Sequence, residues 1–209
     1  MSTDTWNRLS GQQIVTETGY MGAKYWDGTI KALISAGNHA YAPELLEESI
    51  SNLSDHIEQV CTLISEKNLQ KVILVGHSYG GLVITGVAHQ MPHRIQHLVY
   101  LDSAIPEPGQ SLIEILNMVY CSEDYEAALP EPSPPYVEKL QYDPRRIEKI
   151  NKIYIRCTNS EFIDVTHLSK EKVEDEKGEW TYFELPSSHI PMADLPEPFY
   201  KLLSDIMEL

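Results

Sequence analysis

Residues Lys71 to Val83, KVILVGHSYGGLV, decide how this chain is read. An apolar run from Val72 to Val75 meets Gly76-His77-Ser78-Tyr79-Gly80, and an apolar, helix-compatible segment follows. Gly-x-Ser-x-Gly between a strand and a helix is the pattern of a serine held on a very sharp turn. Backbone angles there are strained and neighbours are close, so the positions two before and two after the serine must be nearly free of side chain. The turn lifts the hydroxyl above the sheet, and the helix N-terminus offers backbone N–H groups to a developing oxyanion. Gly81 adds a third glycine. A glycine-rich connection in a βαβ unit is the plainer alternative. A phosphate loop is disfavoured, because no Gly-Lys-Ser/Thr ending follows. Ser78 is therefore read as a nucleophile.

Upstream, Ile14-Val15-Thr16 predicts a strand that turns at Gly19. Apolar positions at helical spacing predict a helix over Lys24 to Ala36, stopped by Gly37. His39 to Tyr41 can form a short strand. From Leu45 to Glu66, the positions Ile50, Leu53, Ile57, Val60, Cys61 and Ile64 predict an amphipathic helix leading into the serine strand. Downstream, a helix runs to about Gln90, and the strand His97 to Leu101 carries Asp102 at its carboxyl end. Ile153 to Ile155 and Trp180 to Leu185 read as further strands, and Phe199 to Met207 as a closing helix. Between them, residues 105–146 hold seven of the chain's 13 prolines, with a short helix over Ser111 to Val119. Such a segment suits a reduced cap or lid rather than a sheet layer. Strands alternating with helices predict an α/β fold, a mostly parallel sheet with helices on both faces, in one domain spanning residues 1–209.

Composition narrows the partners. With 209 residues and a hydrophobic fraction of 42%, the chain can bury a substantial core. No apolar run approaches the ~20 residues needed to span a bilayer. The first ten residues, MSTDTWNRLS, lack the apolar stretch of a secretory signal, so a cytoplasmic protein is expected. Cys61, Cys121 and Cys157 match neither a disulfide framework nor metal spacing. A net charge of −15 repels nucleic acid and anionic lipid and disfavours strongly anionic substrates. No cofactor is called for, and no His/Cys/Asp cluster suggests a metal.

A serine hydroxyl needs a base, and the base needs a carboxylate to orient it. Among eight histidines, His189 stands apart. It follows the strand TYFEL and the turn Pro186-Ser187-Ser188, at the strand's carboxyl end, where sites gather in parallel sheets. His77 is expected to point elsewhere on so sharp a turn, and His167 lies in an ill-defined stretch. For the acid, Asp102, Glu161 and Asp164 all follow strands and could reach the outer imidazole nitrogen. Asp102 on its strand end is preferred over Glu161 on a looser loop. An oxyanion hole would use the N–H of Tyr79 and one from the loop Glu17 to Gly22, with Gly19 preferred because bare backbone allows close approach.

VILVGHSYGGLVI, HLVYLDSAIPEPGQSL and ELPSSHIPM resemble the small α/β-hydrolases related to plant methylesterases and hydroxynitrile lyases, especially their bacterial esterase-like relatives. The resemblance runs from about Ile14 to the C-terminus and is strongest from Lys71 to Leu112. It implies Ser78 as nucleophile, His189 as base, and oxyanion N–H groups from Gly19 and Tyr79. Its bacterial side carries the acid at the position of Asp102, and its plant side near Ser160-Glu161, where this chain has no aspartate. Glu17-Thr18 departs from the family's usual His-Gly, and the cover looks short. The expected activity is hydrolysis of a small, uncharged carboxylic ester through an acyl-enzyme. Two alternatives stay open: a cofactor-free lyase, whose helper lysine has no match in PSSHIPM, and a hydrolase-like binding protein with little turnover. Tyr20, Tyr25, Trp26, Tyr79 and Ile105 could line an apolar pocket or belong to the core. Tyr120, Tyr125 and Tyr136 could close the site or meet a second subunit in a homodimer.

Overall fold

The computed structural model describes residues 13–18, 22–120, 133–176 and 178–209. Six strands form one sheet: β1 (Gln13–Thr18), β2 (His39–Tyr41), β3 (Val72–His77), β4 (Ile95–Leu101), β5 (Asn151–Cys157) and β6 (Trp180–Leu185). Their order is β2-β1-β3-β4-β5-β6, and every pairing is parallel. The connection from β1 runs to one edge and the chain then returns to β1's other side at β3. That reversal is a topological switch point, beside which crevices open at the carboxyl ends of the strands.

Among the described residues, eight α-helical segments accompany the sheet. They are α1 (Asp27–Ser35), α2 (Leu53–Glu66), α3 (Gly80–Gln90), α4 (Leu112–Val119), α5 (Pro134–Val137), α6 (Ile163–Asp175), α7 (Pro191–Asp194) and α8 (Pro196–Ile206). Alternate strand residues enter two separate cores. Val72, Leu74, Leu98, Tyr100 and Tyr154 pack with α2, α3 and α6. Ile73, Val75, Val99, Leu101, Ile153 and Ile155 pack with Trp26, Leu33 of α1 and Phe199 and Leu203 of α8. Every residue of β3 is buried, which is why a strand covered on both faces reads as an unbroken apolar run.

Two expectations need correction. The helix expected from Leu45 begins only at Leu53, because Asn52 and Asp55 close a capping box there, with the Asn52 N–H donating to Asp55 Oδ2 at 2.8 Å. The stretch around His167 is not ill-defined; it is α6, whose inward face mixes Val165 and Val173 with the buried hydroxyls of Thr166 and Ser169. Polar residues on a buried face conceal the helical period from a count of apolar positions. The expected helix after Ser111 does form, and the Ser111 hydroxyl accepts from the Glu114 N–H to cap it.

Candidate active site

The serine corner joins β3 to α3. Ser78 has φ 57°, a left-handed conformation that a non-glycine residue rarely holds without support. The support is local: the Ser78 N–H donates to the Leu101 carbonyl at 3.2 Å, and the Ser78 carbonyl accepts from Gly81 at 3.3 Å. A Cβ on Gly76 would run into the Gly80 backbone, and one on Gly81 into the Ala104 carbonyl and the Ser103 hydroxyl. Close packing of turn, helix and neighbouring loop therefore demands glycine at both places. Ser78 itself is partly exposed, at the entrance to α3.

Asp102 also takes a left-handed conformation, at φ 43° directly after β4. Its side chain is fully buried yet richly bonded. Oδ1 accepts from the Cys157 N–H at 2.9 Å; Oδ2 accepts from the Ser160 hydroxyl at 2.5 Å and from His189 Nδ1 at 2.7 Å. Three donors offset the desolvation that makes an isolated buried carboxylate so costly. They also fix the imidazole: a proton on Nδ1 facing the carboxylate leaves the lone pair on Nε2.

Glu161, the rival acid, takes a different role. Its Oε2 accepts from the backbone N–H of His189 at 3.3 Å, so it holds the loop and not the ring. Asp164 lies in the first turn of α6. The His189 loop has further ties: Asn159 N–H to the Ser187 carbonyl at 3.0 Å and Ser188 N–H to Asp194 Oδ2 at 2.7 Å. The Phe162 ring lies 5.1 Å from the imidazole.

His77 does not simply point away. Its Nε2–H donates to the His189 carbonyl at 2.6 Å, and the two rings lie 4.4 Å apart. Chiefly through burial, and secondarily through the neighbouring His189, its pKa falls to about 3, so the ring is neutral at ordinary pH. The contact brings the residue before Ser78 and the His189 loop together across the ends of β4 and β5. Nothing in the local sequence signals it, since the partners are 112 positions apart.

On the other flank, Tyr79 is buried and its hydroxyl lies 3.1 Å from His56 Nδ1. His56 Nε2 faces the Leu46 carbonyl at 3.0 Å and the Ser51 hydroxyl at 2.9 Å, which places the proton on Nε2 and lets Nδ1 accept from Tyr79. Burial lowers the His56 pKa. The Tyr136 ring of α5 meets Tyr79 edge-on at 5.0 Å and donates its hydroxyl to Glu48. The Ser54 N–H donates to Glu138 Oε2 at 2.7 Å, tying the cover to the start of α2.

Some expectations fall elsewhere. Gly19, Tyr20, Cys121 and Tyr125 lie outside the described residues, and Glu17 and Thr18 are the last two residues of β1, paired with Gly76 and His77. Trp26 belongs to the core on the α8 face, while Tyr25 is exposed. Among the described residues, no group of three or more His, Cys, Asp or Glu side chains could hold a metal ion, and no helix is long and apolar enough to cross a membrane.

Comparison with known proteins agrees with this architecture. Residues 21–119 match the family described as alpha/beta hydrolase fold. A carbendazim hydrolyzing esterase from Nocardioides sp. is 38% identical over 112 residues, covering 49% of this chain and 46% of that protein. A putative chloroplastic methylesterase 15 from Arabidopsis thaliana is 21% identical over 250 residues, covering 94% of this chain and 56% of that protein. The chain thus spans about half the length of these curated relatives. Among solved structures, an extracellular alpha/beta-hydrolase from a Paenibacillus species superposes with a TM-score of 0.75 at 22% identity, covering 93% of this chain and 98% of that one. A methylesterase from Arabidopsis gives 0.71 at 21% identity, covering 95% and 100%. The chain has the α/β-hydrolase fold.

Proposed function

For a chain with this fold and with esterases among its relatives, we propose a serine hydrolase that cleaves a small, uncharged carboxylic ester. The observation that carries the reading is the pairing of a fully buried Asp102 with His189 Nδ1 at 2.7 Å, together with a serine at positive φ directly after His77, whose ring lies 4.4 Å from that imidazole. In this mechanism His189 Nε2 removes the proton from the Ser78 hydroxyl as Oγ attacks the ester carbonyl. The oxyanion is met by N–H groups of the corner, that of Tyr79 among them, and by one from the segment after β1, for which Gly19 remains the candidate. His189 then returns the proton to the leaving alkoxide, and the ester carbon stays on Ser78 as an acyl group. A water, deprotonated in turn by His189, releases the carboxylic acid and restores the serine. Asp102 accepts from Nδ1 and holds the imidazole in the working tautomer.

An acidic chain with a net charge of −15 suits an uncharged substrate better than an anionic one. The test is direct. A fluorophosphonate probe should label Ser78, and Ser78→Ala should lose both labelling and turnover of p-nitrophenyl acetate while melting normally. Retained turnover in that variant would remove Ser78 from the mechanism. Absence of labelling in the unmodified protein would favour a binding protein over an enzyme.

A further inference from the structure

We propose that His77 is a positioning residue, whose Nε2–H ties the loop carrying His189 to the corner carrying Ser78. This rests on the reading of His189 as the base. Ser78 follows β3 and His189 follows β6, with β4 and β5 between them in the sheet. The His189 loop is secured from the β5 side by Asn159 and Glu161 and from the α7 side by Asp194. From the β3 side, His77 reaches the His189 carbonyl at 2.6 Å and lays its ring 4.4 Å from the imidazole, tilted by 41°. The contact joins the residue next to the nucleophile with the backbone of the base itself. A displacement of either partner is thereby resisted by the other, and reaction rates fall steeply with misplacements of about 1 Å.

The residue type fits the task. A donor is needed at the reach of Nε2, in a flat group that can lie against a second ring. The group must also be uncharged, because a fixed cation there would oppose the positive charge that His189 acquires during proton transfer. Burial keeps the His77 imidazole neutral. Lysine or arginine would supply a donor together with the unwanted charge. Glutamine supplies a neutral amide donor at similar reach, and leucine fills comparable space without one.

The experiment compares His77→Gln with His77→Leu. With p-nitrophenyl acetate, His77→Leu should lower kcat on the order of 10–100-fold with little change in KM, and His77→Gln should regain most of the loss. Proton NMR supplies a readout independent of turnover. The downfield N–H resonance of the His189–Asp102 pair, assigned by its loss in His189→Gln, should be sharp in the unmodified protein and in His77→Gln. It should broaden in His77→Leu. Unchanged kcat and an unbroadened resonance in His77→Leu would overturn the proposal. So would a folded His77→Gln as impaired as His77→Leu, since ring packing and not the donor would then matter. Should His77→Leu not fold, His77→Asn, whose amide falls short of the carbonyl, replaces it in the same comparison. If the unmodified protein takes no fluorophosphonate label, the hydrolase reading fails, while the NMR comparison still decides the role of His77.

Discussion

The two flanks of Ser78 are built from different materials. On the His189 flank, the partners are the ends of adjacent strands: Asp102 after β4, Cys157 and Ser160 at the end of β5 and just beyond, and His189 after β6. On the Tyr79 flank, they come from outside the sheet: Leu46 and Ser51 hold His56, His56 faces Tyr79, and Tyr136 joins Tyr79 to Glu48. The first flank is fixed by parallel pairing, which sets the strand ends at constant spacing. The second is fixed by side chains on loops and cover, which the sheet does not register. Chemistry should therefore fail sharply when the first is disturbed, and access or stability should change gradually when the second is.

The most severe test of that contrast is Asp102→Asn. The side chain keeps its shape, but an amide facing His189 Nδ1 as a donor would favour the tautomer that carries its proton on Nε2. Turnover should fall by about three to four orders of magnitude, a loss of roughly 4–5 kcal/mol in transition-state stabilisation. Esterase kinetics together with a thermal melt separates this from unfolding. A loss below tenfold would mean that the carboxylate is only structural.

The strand framework was readable from the sequence for the reason that makes the first flank rigid. Strands buried on both faces become continuous apolar runs, and β3, β4 and β5 stand out as VILV, HLVYL and IYI. Asp102 and His189 were readable as residues at strand ends. Asp102's strand-end position favoured it over Glu161, and side-chain direction separates the two further: Asp102 faces the imidazole, while Glu161 turns to the His189 backbone. The sharp turn argues for His77 pointing elsewhere, and its partner, 112 positions away, leaves no local signal to the contrary. The helix α6 was missed because Thr166 and Ser169 occupy its buried face, where a periodicity count expects apolar residues. The second flank was the least legible, since His56 looks like one more helical polar residue until Tyr79 and Leu46 are seen around it.

A middle-sized effect concerns acid. His56 and His77 are buried and resist protonation, whereas the unfolded chain takes up a proton at each near pH 6.5. Their folded values lie below the unfolded value. Stability is thus fully present above about pH 6.5 and declines as pH falls, until the folded groups also protonate, at about 3 for His77. Each contributes a slope of at most about 1.4 kcal/mol per pH unit across its window. Urea unfolding at pH 7, 6 and 5 should show this decline, and His56→Gln, which cannot titrate, should flatten it. An identical slope in that variant would mean that His56 is already charged in the folded state.

The smallest effect probes the second flank at its edge. Tyr136→Phe keeps the ring against Tyr79 and removes only the hydroxyl that donates to Glu48. That bond joins a half-buried phenol to a carboxylate beside solvent, so stability should fall by about 1 kcal/mol or less. Its influence on catalysis should appear in KM before kcat, because the bond anchors the cover and touches neither Asp102 nor His189. A kcat loss as large as that expected for His77→Leu, with KM unchanged, would show that the two flanks are coupled through Tyr79, and the division between rigid chemistry and adjustable access would not hold.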